Sequence, residues 1–266
     1  MWVIKIGGGA AINHDAVCED LARLGREQKI IIVHGGHAKR DELAKQLGIE
    51  IPVVTSQSGV TSVYTTPELL EAFLMAYAGL INKKLVAKLQ KLGLNAVGLC
   101  GVDGRLFEGR RKNAIYVRDG SKIKLLKDDL SGKVESVNLK LLELLLQHNM
   151  VPVVCPPAIS FEGDIINVDG DSIACLLAKE LKAEKLVFLI EAPGFLRYSQ
   201  DETSVIERIP RSEIESFINF AVGRMRRKIL AIQDALLSGV KEVFIADGRL
   251  EEPITKAFQG AGTLFY

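Results

Sequence analysis

Ile165-Ile166-Asn167-Val168-Asp169-Gly170-Asp171-Ser172-Ile173-Ala174 joins two apolar runs of different period through an amide, two carboxylates and a glycine. Ile165 and Ile166 lead in as a short strand. Ile173, Leu176, Leu177 and Leu181 then recur at helical spacing over 172–181, with Gly170 relaxing the backbone just ahead of them. An acidic turn between a strand and a buried helix either points into a cleft or caps the helix. Taken alone, Asp171 fits an N-cap, because a carboxylate is favoured there and suits the helix dipole. The surrounding chain decides between the two.

Working outward, strand and helix patterns alternate. Strand-like runs at 2–6, 29–34, 95–100, 151–155, 185–190 and 242–246 are separated by helical patterns at 15–26, 38–47, 67–92, 139–147, 172–181 and 226–237. The strand-like runs are largely apolar, as expected of an α/β fold whose mostly parallel sheet is buried on both faces. Segment 104–126 breaks the alternation. Its short extended runs, divided at Gly109 and at the turn Asp119-Gly120, predict an antiparallel β-hairpin projecting from the sheet.

With 266 residues, 48% hydrophobic and 25% charged, the chain has enough apolar content for one large core or two lobes. A boundary near Gly170 is expected, giving lobes over 1–170 and 171–266. A net charge of +1 supplies no global attraction to nucleic acid or membrane, so a charged partner would have to be read by a local patch. Neither a signal peptide nor an apolar run of transmembrane length is visible, and the expected location is the cytoplasm. Cys18, Cys100, Cys155 and Cys175 are scattered and lack a Cys-x-x-Cys pair. Buried thiols are expected, with no zinc site and no metal held by the histidines.

Lys5-Ile6-Gly7-Gly8-Gly9 closes the first strand and His34-Gly35-Gly36 closes the second. In a parallel sheet both turns lie at carboxyl ends, where open α/β folds bind ligands. Bare backbone N–H groups and helix N-termini at such turns suit a phosphate. No Gly-x-x-x-x-Gly-Lys-Ser/Thr loop and no Gly-x-Gly-x-x-Gly turn follows a strand, so neither a P-loop enzyme nor a dinucleotide dehydrogenase is supported. Gly223-Arg224-Met225-Arg226-Arg227-Lys228 opens a helix with four cations, against the helix dipole. Either they form a solvated face or, as is expected here, an anion is held between this segment and the glycine turns.

Lys-x-Gly-Gly, His-Gly-Gly, Asn-x-Asp-Gly-Asp, Pro193 to Leu196 and Gly-x-Met-x-x-Lys, in that order, resemble the amino-acid kinase superfamily. Within it the chain is similar to the N-acetylglutamate kinase branch. The form of 167–171, with Cys100-Gly101-Val102-Asp103-Gly104 and the run Phe107 to Lys112, is closer still to the [LysW]-aminoadipate and [LysW]-glutamate kinases. The resemblance implies a three-layer αβα sandwich of the carbamate kinase type and a homodimer paired through the helix at 67–92. It also implies ATP and Mg²⁺ as cofactors. The acceptor would be the side-chain carboxylate of an amino acid whose amine is capped by a small acidic LysW-like carrier, in lysine or arginine biosynthesis.

Position by position, the resemblance makes Lys5 and Lys228 the cations on the transferring phosphoryl group and Asp171 the carboxylate that holds both. Gly7, Gly8, Gly35 and Gly36 would serve the phosphates, with Gly35 and Gly36 also bordering the acceptor, and Asn167 would bind the acceptor. An acceptor carboxylate is already ionised near pH 7, so such a reaction needs aligned charge rather than a general base. Two features depart from the family. Val63, in Gly59-Val60-Thr61-Ser62-Val63-Tyr64-Thr65, stands where the family has an arginine that clamps the acceptor's α-carboxylate. His37-Ala38-Lys39-Arg40 is bulkier and more basic than expected after Gly36, so Lys39 or Arg40 could replace that arginine or simply form an exposed helix start. Arg110, Arg111 and Lys112 belong to a basic stretch, 104–127, expected to receive the carrier. The alternatives are N-acetylglutamate kinase, and a non-catalytic sensor on the same fold.

Overall fold

A computed structural model describes residues 1–56, 61–120 and 122–266 of the chain. Its elements, in order, are β1 (Trp2–Ile6), α1 (His14–Leu24), β2 (Ile30–His34), α2 (His37–Gln46), β3 (Val53–Thr55), β4 (Thr61–Val63), α3 (Pro67–Leu74), α4 (Asn82–Lys91) and β5 (Ala96–Cys100). There follow β6 (Phe107–Arg111), β7 (Ile115–Asp119), β8 (Lys122–Leu126), β9 (Gly132–Val137), α5 (Leu139–Gln147), β10 (Val151–Cys155), β11 (Ala158–Ser160) and β12 (Ile165–Ile166). The chain ends with α6 (Gly170–Glu180), β13 (Lys185–Ile190), β14 (Arg208–Ile209), α7 (Ile214–Phe217), α8 (Gly223–Leu237), β15 (Glu242–Asp247), α9 (Pro253–Phe258) and β16 (Thr263–Phe265).

One eight-stranded sheet runs through the molecule in the order β14-β16-β15-β13-β1-β2-β10-β5. Its pairs are parallel except β15 with β16. Because side chains alternate across a strand, β1 sends Ile4 and Ile6 to one face and Val3 and Lys5 to the other. The first face packs against Leu21 of α1, Leu85 and Leu89 of α4 and Ile254 of α9. The second packs against Leu142 of α5, Ile173 and Leu177 of α6 and Ile229 and Ile232 of α8. Two apolar cores with a sheet between them make the three layers, and the expected α/β sandwich stands. Among the described residues no helix is long and apolar enough to cross a membrane.

The interruption at 104–126 is organised differently from its sequence pattern. β6 belongs to a second sheet, ordered β12-β11-β6-β9, and Gly109 lies inside it rather than at a break. The register shifts between Glu108 and Gly109, and a Cβ on Gly109 would come within 1.9 Å of the Lys133 carbonyl oxygen. Glycine there permits the close approach of a bulged strand. The projecting hairpin is β7 with β8, paired from Ile115 opposite Leu126 to Asp119 opposite Lys122. Arg110 and Arg111 are therefore on β6 and not on the hairpin.

The helical pattern at 67–92 contains a π-helical stretch, Met75–Ile81, between α3 and α4. Asn82 N–H donates to the Tyr77 carbonyl five residues back, and both side chains meet His34. Of the apolar residues on this helix, Leu69, Leu70, Phe73 and Tyr77 are buried within the chain, Leu74 and Leu80 are half-buried, and Met75 is exposed.

Candidate active site

β1 and β2 end at the same level, with Ile6 opposite His34, so their glycine turns lie side by side. A Cβ on Gly8 would sit 2.3 Å from the Gly36 nitrogen, and one on Gly35 would sit 2.9 Å from the Gly8 nitrogen. Only glycine permits this contact of two backbones. Gly35 N–H donates to the Ile6 carbonyl at 2.9 Å and Ala38 N–H to the Gly8 carbonyl at 3.0 Å. Gly36 is the N-cap of α2, so a helix N-terminus opens directly on the paired turns, as an anion site requires.

Asp169, not Asp171, caps α6. Its side chain accepts from Asp171 N–H at 2.7 Å and from Ser172 N–H at 3.3 Å, and the helix starts two residues earlier than its apolar pattern. Asp171 is thereby free to face the cleft. One of its oxygens meets Lys5 Nζ at 2.7 Å and the other meets Lys228 Nζ. Lys5 and Lys228 are each 7% exposed, and the Lys228 ammonium also lies 4.4 Å above the centre of the Phe188 ring, on the strand beside Lys5. Burial alone would raise the Asp171 carboxyl, but the two adjoining ammonium groups outweigh it and hold the group well below the usual carboxylate range. Ionised Asp171 is an organiser of charge and no general base. The trio carries one surplus positive charge in a place where unbalanced charge is costly, which favours the arrival of an anion.

These groups line a cleft of about 700 Å³ that continues from the glycine turns to Asn167, Val63 and Arg40. Asn167 Nδ2 donates to Thr65 Oγ1 at 2.9 Å, and its backbone is bonded on both sides, to Leu130 and Gly132. Asp129, 1% exposed, accepts from Thr65 N–H at 2.8 Å and from the Ser131 hydroxyl, locking the loop that carries these contacts. Arg111 Nε donates to the Asp129 carbonyl at 3.0 Å and so acts as an anchor within this network. Arg110 is a surface residue, paired with Glu135 at 3.3 Å and lying over the Phe161 ring at 5.3 Å. Lys112 borders the cleft. Val63, on β4, lines the cleft as an apolar wall; Gly59 and Val60 lie outside the described residues.

Lys39 and Arg40 part company. Lys39 is at the surface, paired with Glu42 at 2.6 Å, whereas Arg40 is buried and faces the cleft. An exposed basic helix start describes the first residue and not the second. Of the four cations opening α8, Lys228 alone is buried among the described side chains, with that of Arg224 outside the description. The structure thus brings Lys5, Gly8, Gly35, Asn167, Asp171 and Lys228 to one cleft, while Arg110 stands apart from it.

The sequence pattern did not reveal the support behind Gly35. His34 Nδ1 is 2.9 Å from the Gly35 carbonyl, and its Nε2 is 3.1 Å from Asn82 Nδ2, which also donates to the Val153 carbonyl at 2.9 Å. These partners call for a neutral ring that donates through Nδ1 and accepts at Nε2. Burial pushes its pKa from 6.5 down to about 4, with the Gly35 hydrogen bond opposing that shift in part. The unfolded chain takes up a proton below about pH 6.5 while the folded one resists until about pH 4. Folding stability should therefore decline with falling pH through this window, by about 3 kcal/mol in all. His34→Asn should flatten that decline; urea unfolding at about pH 7 and pH 5 would show an unchanged slope if the assignment is wrong.

Among the described residues no group of three or more His, Cys, Asp or Glu side chains could hold a metal on its own. A divalent cation carried on phosphate oxygens needs only one or two carboxylates. Asp169 and Glu191 line the cleft without a lysine partner among the described residues, and Glu191 Oε1 accepts the Ala11 N–H at 2.5 Å.

Residues 1–247 match the model of the amino acid kinase family. The [LysW]-aminoadipate kinase of Thermus thermophilus is 46% identical over 267 residues, covering 99% of this chain and 99% of that one. The [LysW]-aminoadipate kinase of Deinococcus radiodurans is 47% identical over 265 residues, covering 99% and 91%. Among solved structures, N-acetylglutamate synthase from Neisseria gonorrhoeae superposes with a TM-score of 0.80 at 22% identity, over 99% of this chain and 58% of that longer one. Giardia carbamate kinase gives 0.69 at 17% identity, over 99% and 97%. At these identities the structural matches speak for the fold alone.

Proposed function

The chain belongs to the amino acid kinase family, and from that premise we propose that it transfers the γ-phosphoryl group of ATP to the side-chain carboxylate of an amine-capped 2-aminoadipate or glutamate. The observation that carries this reading is the buried Lys5–Asp171–Lys228 trio, with its surplus positive charge, beside the paired glycine turns. A carboxylate nucleophile brings its own negative charge, and the transferring phosphoryl group adds more. Catalysis then consists of holding two anions in line and spreading positive charge over the phosphoryl oxygens. Lys5 and Lys228 supply that charge, Asp171 keeps their ammonium groups apart and aimed, and Gly7, Gly8, Gly35 and Gly36 offer backbone donors. Mg²⁺ bound with ATP would neutralise phosphate charge, held from the protein side by Asp169 or Glu191. Intact lysines favour an enzyme over a sensor.

The same reading assigns the acceptor to lobe 1–170, through Asn167, and ATP to lobe 171–266. It places the protein in the cytoplasm, in lysine biosynthesis or, with glutamate as acceptor, in arginine biosynthesis. A homodimer would pair through the helix around Met75, although most of that helix's apolar face is used internally. Sedimentation showing monomer alone at micromolar concentration would remove that part.

A carrier-linked acceptor is favoured by the hairpin. Ser56, at the end of β3, bridges to Val117 of β7, which seats the hairpin beside the β3–β4 wall of the cleft. One side shows Tyr116, Ile123 and Leu125, all exposed, while Lys122 and Lys124 alternate with them. With those lysines on its opposite face, the hairpin offers a small acidic protein both apolar contact area and long-range attraction, and their encounter would be salt-sensitive. Lys112 carries positive charge to the border of the cleft, Arg110 adds to it on the outer surface of β6, and Arg111 supports the loop from within.

Purified protein given ATP, Mg²⁺ and hydroxylamine should yield hydroxamate from a carrier-linked acceptor and far less from N-acetylglutamate. Reversing Arg110, Lys122 and Lys124 to Glu should weaken use of the carrier-linked acceptor in a salt-dependent way and leave the slow reaction of the free one unchanged. Equal turnover of both acceptors by the wild type would favour the N-acetylglutamate reading.

A further inference from the structure

Building on the acceptor class proposed above, we propose that Arg40 holds the acceptor's second, non-reacting carboxylate and makes the site selective for dicarboxylates. An amine-capped aminoadipate or glutamate brings two carboxylates into the cleft. One must lie at the trio for transfer, and the other then lies away from it, where the wall changes character. Val63, Phe73 and Tyr77 line that part of the cleft with Thr61 and Ser62, so it offers a carboxylate hydroxyl groups but little positive charge apart from Arg40.

Arg40 is the buried cation of that part of the wall. Its side chain is 8% exposed, although Asp41 beside it is 44% exposed. Nε and Nη2 both donate to the single oxygen Oδ1 of Asp41, at 2.8 and 2.5 Å, and the guanidinium lies 5.9 Å from the centre of the Phe73 ring. Asp41 and Phe73 therefore hold the guanidinium plane in place, and Nη1 remains for a ligand in the cleft. Guanidinium matches a planar carboxylate better than an ammonium does, and a pre-held fork loses little freedom on binding. Lys112 is the other cation bordering this end, but it is exposed to water, where its attraction is screened.

The test compares aminoadipate linked through its amine to the acidic carrier with the same carrier bearing the α-carboxamide of aminoadipate, each followed by hydroxamate formation. Wild type should prefer the acid by about 30-fold or more in acceptor KM, the loss typical of one partner in a desolvated charge pair. Arg40→Met should reduce that preference to within about threefold, with the KM for ATP unchanged. Adding Val63→Arg to Arg40→Met should return part of it, because a guanidinium is again supplied to the same wall. If Arg40→Met does not fold, Arg40→Lys, which keeps charge but not the planar fork, should show an intermediate preference. A wild-type enzyme that uses acid and amide equally, or an Arg40→Met or Arg40→Lys enzyme that keeps the full preference, overturns the assignment of Arg40 alone. Hydroxamate from neither acceptor overturns the proposed function as well.

Discussion

Lys228→Ala is expected to lower kcat by about 10²- to 10³-fold while leaving the acceptor KM within severalfold of wild type. The ammonium group is fixed by Asp171 and by the face of Phe188, so it needs no reorganisation when charge develops on the transferring phosphoryl oxygens. A donor preset in a water-poor site stabilises the transition state more than the ground state, and its loss therefore falls on turnover. Lys228→Arg should recover little, because the guanidinium cannot occupy the same point between carboxylate and ring. Near wild-type kcat in Lys228→Ala would remove Lys228 from the chemistry.

Asp171→Asn is expected to cost about 3 kcal/mol of folding stability in the ligand-free protein, together with most of the activity. The substitution keeps the shape of the side chain but leaves Lys5 and Lys228 facing each other, both nearly buried, with no anion between them. An added anion should then do part of the missing work. ADP or inorganic phosphate should raise the melting temperature of Asp171→Asn more than that of the wild type, because either can restore negative charge beside the two ammonium groups. The folded-state pKa of Asp171 is depressed, so wild type keeps this stabilisation above the ordinary carboxylate range and loses it only as pH falls through and below that range. Equal melting temperatures of wild type and Asp171→Asn without ligand would show that Asp171 does not offset the charge of the two nearly buried ammonium groups.

The sequence by itself determined six of the eight strands of the main sheet, all but β14 and β16, and the meeting of a lysine with glycine turns at one end of the cleft. Six apolar runs separated by helical patterns require a sheet buried on both faces, and a lysine at alternating position 5 followed by glycines puts a charge and bare amides at one strand end. Those are local properties, written in period and turn chemistry. Which aspartate caps α6 was not, because Asp169 and Asp171 are both suited to a helix start; the choice fell to the lysines that approach from β1 and α8. Gly109 read as a break until a second sheet brought the Lys133 carbonyl against it. Arg40 lies on α2, whose sequence His37-Ala38-Lys39-Arg40-Asp41-Glu42 is polar all round, so no periodicity marks it as buried. Only the packing of α2 against α3 and the π-helical turn places Phe73 and Tyr77 along its inner side and turns a surface-like arginine toward the cleft. Burial of a charged side chain is decided by what other segments bring to it, and for Arg40 those segments lie more than thirty residues away in the chain.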